Sequence, residues 1–369
     1  MKYYVLWKKN NEMLFWYLDK YYSLLRDKLS EIADTWFYTE EINKLLNWNY
    51  KDFIMHPDNS SVINLLYAYK ILGRKDGIDI NTFQKIFIHE LKLLFNKDDN
   101  LTMNIGNKIW WTNILLTNKL HNPYDWKDPH PDHKITWWIL WYGKKPVDEW
   151  IELYNKTFEL LRWIDEGVYD ELNQIIKKIA PLGTAEWLHN SASYQEAIWD
   201  LYLWYTIDSN YPEINNLEAI IHESSHNKLN LILHFDPLIL NDQSEKYYSP
   251  YRPDARHIHG IYLGVHAFVP TMYILIKAYL KWQIHDKWLW FEKIVLYYLK
   301  NKISINVLEK HWKFTELGRE ILDEIIEVQK LTDPLFKQLD ISNQQLNEIK
   351  SYAKSHFQSV NINYPNLLY

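Results

Sequence analysis

The chain contains no cysteine. That excludes disulfides, thiolate metal ligands, iron–sulfur clusters and a cysteine nucleophile together, so any metal must be bound by His, Asp or Glu. Glycine is also scarce, with 9 in 369 residues, and alternating apolar–polar patterns are few. The chain therefore reads as mainly α with a small β element. No basic block offsets the formal charge of −6, which argues against nucleic acid as the main partner. Residues 1–22 are apolar and aromatic, but Lys8, Lys9, Glu12, Asp19 and Lys20 interrupt them, so no secretory h-region is recognisable. The longest nearly uncharged run, residues 260–276, is short for a membrane span and contains His266 and Pro270. The expectation is a cytoplasmic protein with no membrane partner.

Apolar residues make up 47% of the chain and charged residues 24%, the balance of a soluble globular protein. The length suffices for one large domain or two ordinary ones. We expect one compact unit with an N-terminal helical lobe over residues 1–100 and a catalytic region over residues 101–369. Trp (19) and Tyr (28) are unusually frequent; they either fill an irregular helical core or line a groove for an extended peptide. Apolar residues recur at helical spacing over residues 14–46, with an interruption at 35–40, and again over 62–72 and 83–95. Residues 118–134, rich in Pro, Asp, His and Asn, read as a loop, and their His130 and His133 as solvated. Two helices are expected at 149–164 and 171–179, the best strand at 197–207, and amphipathic helices at 281–300, 305–330 and 341–357.

The chemistry concentrates in His222-Glu223-Ser224-Ser225-His226. Four-residue spacing on a helix places both imidazoles on one face. A single divalent metal can then bridge them, with a carboxylate one position round the helix. Composition alone yields such a match on the order of a few percent of the time in a chain of this length. Both histidines continue into Leu229 and Leu233, so their face reads as apolar and inward-pointing. Leu217, Ile220 and Ile221 make a second apolar stripe, and the helix reads as central. The plainer reading is two core histidines with hydrogen-bond partners.

Two imidazoles do not complete a site. The metzincin position six residues on is Ile232, which cannot ligate, and His234 comes two residues too late. A gluzincin glutamate would have to be Glu245, in a polar loop, or the distant Glu292. A second helical stretch, residues 259–282, carries His259 and His266. Gly260 and Gly264 give it a smooth strip where another helix could approach. Pro270 has no N–H for the carbonyl of residue 266, so a kink is expected there. His266 is favoured as third ligand, with His259 the rival and His257 exposed or supporting. Between the two helices lies Tyr248-Ser249-Pro250-Tyr251-Arg252-Pro253-Asp254-Ala255-Arg256. Its Arg252 and Arg256 either pair with Asp254 or another acid, or grip a carboxylate-bearing substrate or cosubstrate.

These segments, with Gly264-Val265-His266-Ala267-Phe268-Val269-Pro270, resemble the HExxH-type peptide-modification proteins. That family includes 2-oxoglutarate-dependent peptide β-hydroxylases from gene clusters for ribosomally made, modified peptides. The likeness covers residues 217–275. It implies iron(II) at His222, His226 and His266, and Arg252 or Arg256 on the cosubstrate carboxylates. It also implies Glu223 as an orienting group or proton acceptor, and a precursor peptide as substrate. Tyr251 stands where the family often has Trp, and Ala255 where proline is common. The competing expectations are a zinc metallopeptidase with Glu223 as the general base, and a non-catalytic peptide-binding protein whose metal is structural.

Overall fold

The computed structural model describes residues 5, 11–34, 39–47, 50–73, 80–95, 107–109, 112–116, 138–139, 147–183, 191–204, 211–252, 254–281, 287–339 and 341–363. Of these, 73% are helical and 8% lie in strands, so the chain is mainly α with a small β element. The chain divides into two compact units. One comprises Met1–Lys9, Leu161–Val168 and Ile232–Tyr369; the other comprises Asn10–Leu160 and Tyr169–Leu231. Residue 100, where the sequence suggested a lobe boundary, falls within Asn10–Leu160. The loop expected at 118–134, with His130 and His133, lies outside the described residues.

The unit holding Asn10–Leu160 opens with helices α1 (Glu12–Ala33), α2 (Thr39–Asn47), α3 (Lys51–Met55), α4 (Pro57–Lys70) and α5 (Ile80–Phe95). α1 starts where the Asn11 side chain accepts from Leu14 N–H at 3.2 Å, satisfying one of the donors a helix start leaves open. Its Leu14, Tyr17, Tyr21, Leu25, Leu29 and Ile32 recur every three or four residues and are buried. α4 begins on Pro57, whose fixed φ suits a first helical position. Buried Asn64 ties the helices to the sheet. It accepts from Lys28 Nζ at 2.7 Å, and donates to Tyr21 Oη at 2.8 Å and the Glu196 carbonyl at 3.0 Å.

The sheet has six strands: β1 (Asn107–Lys108), β2 (Leu115–Leu116), β3 (Trp138–Ile139), β4 (Lys178–Gly183), β5 (Ala192–Tyr194) and β6 (Ala197–Trp204). Their order is β1-β2-β4-β6-β5, with β3 also pairing β4. β2, β4 and β6 run parallel, while β1, β3 and β5 are antiparallel to their neighbours. The strand expected at 197–207 is β6. Helix α6 (Val147–Ile164) matches the first of the two expected helices, whereas α7 (Glu166–Ile175) begins before residue 171 and stops short of residue 179. The sheet captures the chain there: Lys177 N–H donates to the Trp199 carbonyl and Leu115 N–H to the Lys177 carbonyl.

Two features of β6 depart from a regular strand. Ala192 pairs with Tyr202 but Tyr194 with Ala197, so β6 bulges between them, and Trp199 in that stretch has φ of 72°. Beside it, Asp200 makes an ion pair with Lys178 of β4 at 3.0 Å, both side chains almost fully buried.

α8 (Pro212–Leu233) follows, and then the other unit with α9 (Ile258–Lys281), α10 (Lys287–His311), α11 (Glu316–Phe336) and α12 (Asn343–Asn363). α9 packs against α10 and α11, and α10 against α12. α9 is the one described helix long and apolar enough to cross a membrane, yet 72% of that window is buried by protein. It continues through Pro270. The break expected between residues 300 and 305 is absent, because α10 runs through it. Asn301 and Ser304 there are buried, and Asn301 Nδ2 donates to the Phe268 carbonyl at 3.3 Å while its Oδ1 accepts from Tyr251 Oη. The smooth strip of α9 receives a ring and not a helix: a Cβ on Gly264 would stand 3.1 Å from Tyr251. α11 is capped by Thr315, whose side chain accepts from Gly318 N–H. There the backbone approaches so closely that a Cβ on Gly318 would lie 2.1 Å from the Leu238 carbonyl oxygen.

Candidate metal centre

α8 carries the motif and is buried on nearly all sides. From Ile214 to Leu233 the half-buried residues are Asn215, Glu218, Ala219, His222, His226, Asn230 and Leu233. They recur at three- and four-residue spacing and so form one strip. Leu217, Ile220 and Ile221 make the expected apolar stripe and are fully buried. The histidine face, expected to point into the core, is instead this half-open strip; Leu229 on its flank is the buried member.

His222 Nε2 and His226 Nε2 stand 3.1 Å apart, with ring centroids 4.7 Å apart and planes at 84°. Two imidazole nitrogens bound at about 2.0–2.1 Å to one metal are separated by about 2.9 Å at an octahedral angle and about 3.3 Å at a tetrahedral one. The observed distance falls inside that interval. Without a metal the same distance suits a hydrogen bond from one ring to the other. Among the described residues no group of three or more His, Asp or Glu is gathered closely enough to hold a metal ion. Of the three expected ligands, the described geometry brings His222 and His226 within 3.1 Å of one another.

Glu223, on the same turn, is buried. Its Oε2 accepts from Ser193 Oγ of β5 at 2.9 Å. Burial pushes its carboxyl up to about 8, and the Ser193 hydrogen bond pulls the other way. The next residues of α8 fix the helix to its own unit. Asn227 Nδ2 donates to the Asp200 carbonyl at 2.9 Å, beside the β6 bulge. Lys228 Nζ pairs with Glu171 of α7 at 3.1 Å, with both side chains buried. Ser225 Oγ donates back to the Ile221 carbonyl at 2.7 Å. Ser193, Asp200 and Glu171 were not among the residues sequence reasoning singled out. Each is distant in sequence from the motif, and only the fold brings them together.

The other expected site residues belong to the unit with Ile232–Tyr369. His266 is fully buried on α9, one turn before Pro270. His259 is half-buried, and desolvation first, then the nearby His257, lowers its pKa. His257 is exposed, with Nδ1 3.3 Å from the Glu245 carbonyl. Arg256 Nε pairs with Asp254 Oδ2 at 2.8 Å, and its backbone bridges to Tyr247 in both directions. Arg252 is exposed; desolvation and then the Arg256 charge lower its pKa, while Asp254 opposes them. The loop that carries it is anchored by Tyr251, whose ring stacks on Phe268 at 4.5 Å and rests on Gly264. Glu245 accepts from Tyr247 Oη. No family model and no curated protein matches this chain.

Proposed function

We propose that the chain is a metal-dependent enzyme: an iron(II)- and 2-oxoglutarate-dependent oxygenase that hydroxylates a side-chain β-carbon of a ribosomally made peptide. One observation supports it above the others. Two imidazole nitrogens converge to 3.1 Å on the single half-open strip of an otherwise buried helix. A structural metal is closed in by protein ligands, whereas a catalytic one keeps open positions; ligands on a half-open strip suit the second case.

His222 and His226 hold the metal in this reading. The motif resemblance adds His266 as the third ligand and an arginine for the distal carboxylate of the keto diacid. That resemblance gives the role to Arg252 or Arg256. Glu223 holds or moves a proton at its carboxyl, sheltered from bulk water. Bound iron(II) would supply the oxidising chemistry, with dioxygen as the four-electron oxidant: one oxygen atom would go to succinate as the keto acid loses carbon dioxide, and the other would convert a C–H bond to C–OH.

The test is anaerobic loading of the full chain with iron(II) and 2-oxoglutarate, then admission of air. Succinate should form, and a peptide substrate should gain about 16 Da, one oxygen atom. Peptide cleavage with zinc and no keto acid would replace this reading by the metallopeptidase. His222→Ala and His226→Ala should each abolish metal retention, as should His266→Ala, while His259→Ala should keep it.

A further inference from the structure

Among the described residues, three carboxyl groups are buried in the unit that carries the motif: Glu171, Asp200 and Glu223. Glu171 faces Lys228 and Asp200 faces Lys178, at 3.1 and 3.0 Å. Those two acids are neutralised by lysine and locked into the framework. Among the described residues no lysine pairs with Glu223. Among the described residues its side chain has one hydrogen-bond partner, the Ser193 hydroxyl. A hydroxyl orients a carboxyl without cancelling its charge, and a single donor claims only one of its two oxygens.

Ser193 also sits in an unusual place for a structural residue. It is the middle residue of the three-residue terminal strand β5, and it is half-buried. Its removal would leave little packing to lose. Its reach to Oε2 therefore matters mainly for the carboxyl it touches.

Resting on the metal-enzyme reading above, we propose that Ser193 is the positioning residue for Glu223. Its hydroxyl fixes Oε2 and so reserves Oε1 for whatever binds at His222 and His226. Asn227 and Lys228 set the rotation of α8, and Ser193 sets the rotamer of the one acid on the motif turn.

Cobalt(II) bound to the full chain is a suitable probe, because its visible absorption responds to changes around the metal even where affinity does not change. Ser193→Ala should alter the absorption envelope in the same sense as Glu223→Gln, and Ser193→Thr, which keeps the hydroxyl, should restore it. Cobalt affinity should stay at the wild-type value in all three. In the iron-loaded protein, Ser193→Ala should lower kcat about tenfold with KM for the keto acid unchanged. An envelope that ignores Ser193→Ala, or a Thr variant as altered as the Ala variant, would overturn the role of Ser193. If His222→Ala binds cobalt as tightly as wild type, the metal reading itself fails, a different result from either of those.

Discussion

Glu223 is a carboxyl group with a high pKa for a simple reason, the loss of water around it. The sign of its effect on stability follows. In the metal-free fold its pKa, about 8, lies well above the ordinary carboxyl value. Its favourable contribution is complete below the unfolded value and is lost as pH rises toward the folded one. Glu223→Gln, neutral at every pH, should escape that loss. Urea unfolding in the presence of a chelator should show the variant gaining on wild type between pH 5 and pH 8, by on the order of a few kcal/mol. Parallel stability profiles would contradict the burial argument. Gly318 is the other position where a single atom decides. Gly318→Ala should cost about 3 kcal/mol, read as a lower urea midpoint, because the added methyl meets a backbone carbonyl at 2.1 Å and not a flexible side chain.

The helices were legible in the sequence where periodicity was strong and the polar residues pointed outward. α1, α4, α6 and α8 fall where apolar spacing put them. The failures share a cause, polar or ambiguous residues whose partners are distant. The expected helices left a gap between residues 300 and 305, yet Asn301 and Ser304 there are interior groups, with Asn301 bonded to Tyr251 and Phe268. The residues after Ile175 continued a helical pattern, but pairing with β6 made residues 178–183 a strand. The two site histidines were visible as a motif; Ser193, 30 residues from Glu223, was not, since nothing local marks it. Lys228 is another case, a lysine on a helix that would ordinarily be taken for surface. Lys228→Met should destabilise by about 3–5 kcal/mol, because it removes the buried ammonium that faces the Glu171 carboxylate. The double variant Lys228→Met with Glu171→Leu should recover most of that loss in denaturant titrations. If the double variant is as unstable as the single one, the pair's role is packing and not charge compensation.

For the molecule as a whole, ligand linkage offers a test that needs no substrate. A metal held by the folded chain and not by the unfolded one stabilises it by about 2.7 kcal/mol at a hundredfold excess over Kd. Thermal unfolding with and without manganese(II) should therefore separate by several degrees in the wild type and coincide in His222→Ala. Equal shifts in both would place the bound ion elsewhere. Among the described residues the aromatics Trp150, Tyr21, Tyr154, Tyr202 and Tyr262 are all fully buried. The anchoring of α8 has a broader implication. Its contacts at Glu223, Asn227 and Lys228 hold its azimuth, and its remaining faces are committed to the interior. On the proposed reading, any change in the ion or guest would come from whatever meets the two imidazoles across the half-open strip. The helix would then be the fixed half of a socket, and only the other half would be left to vary.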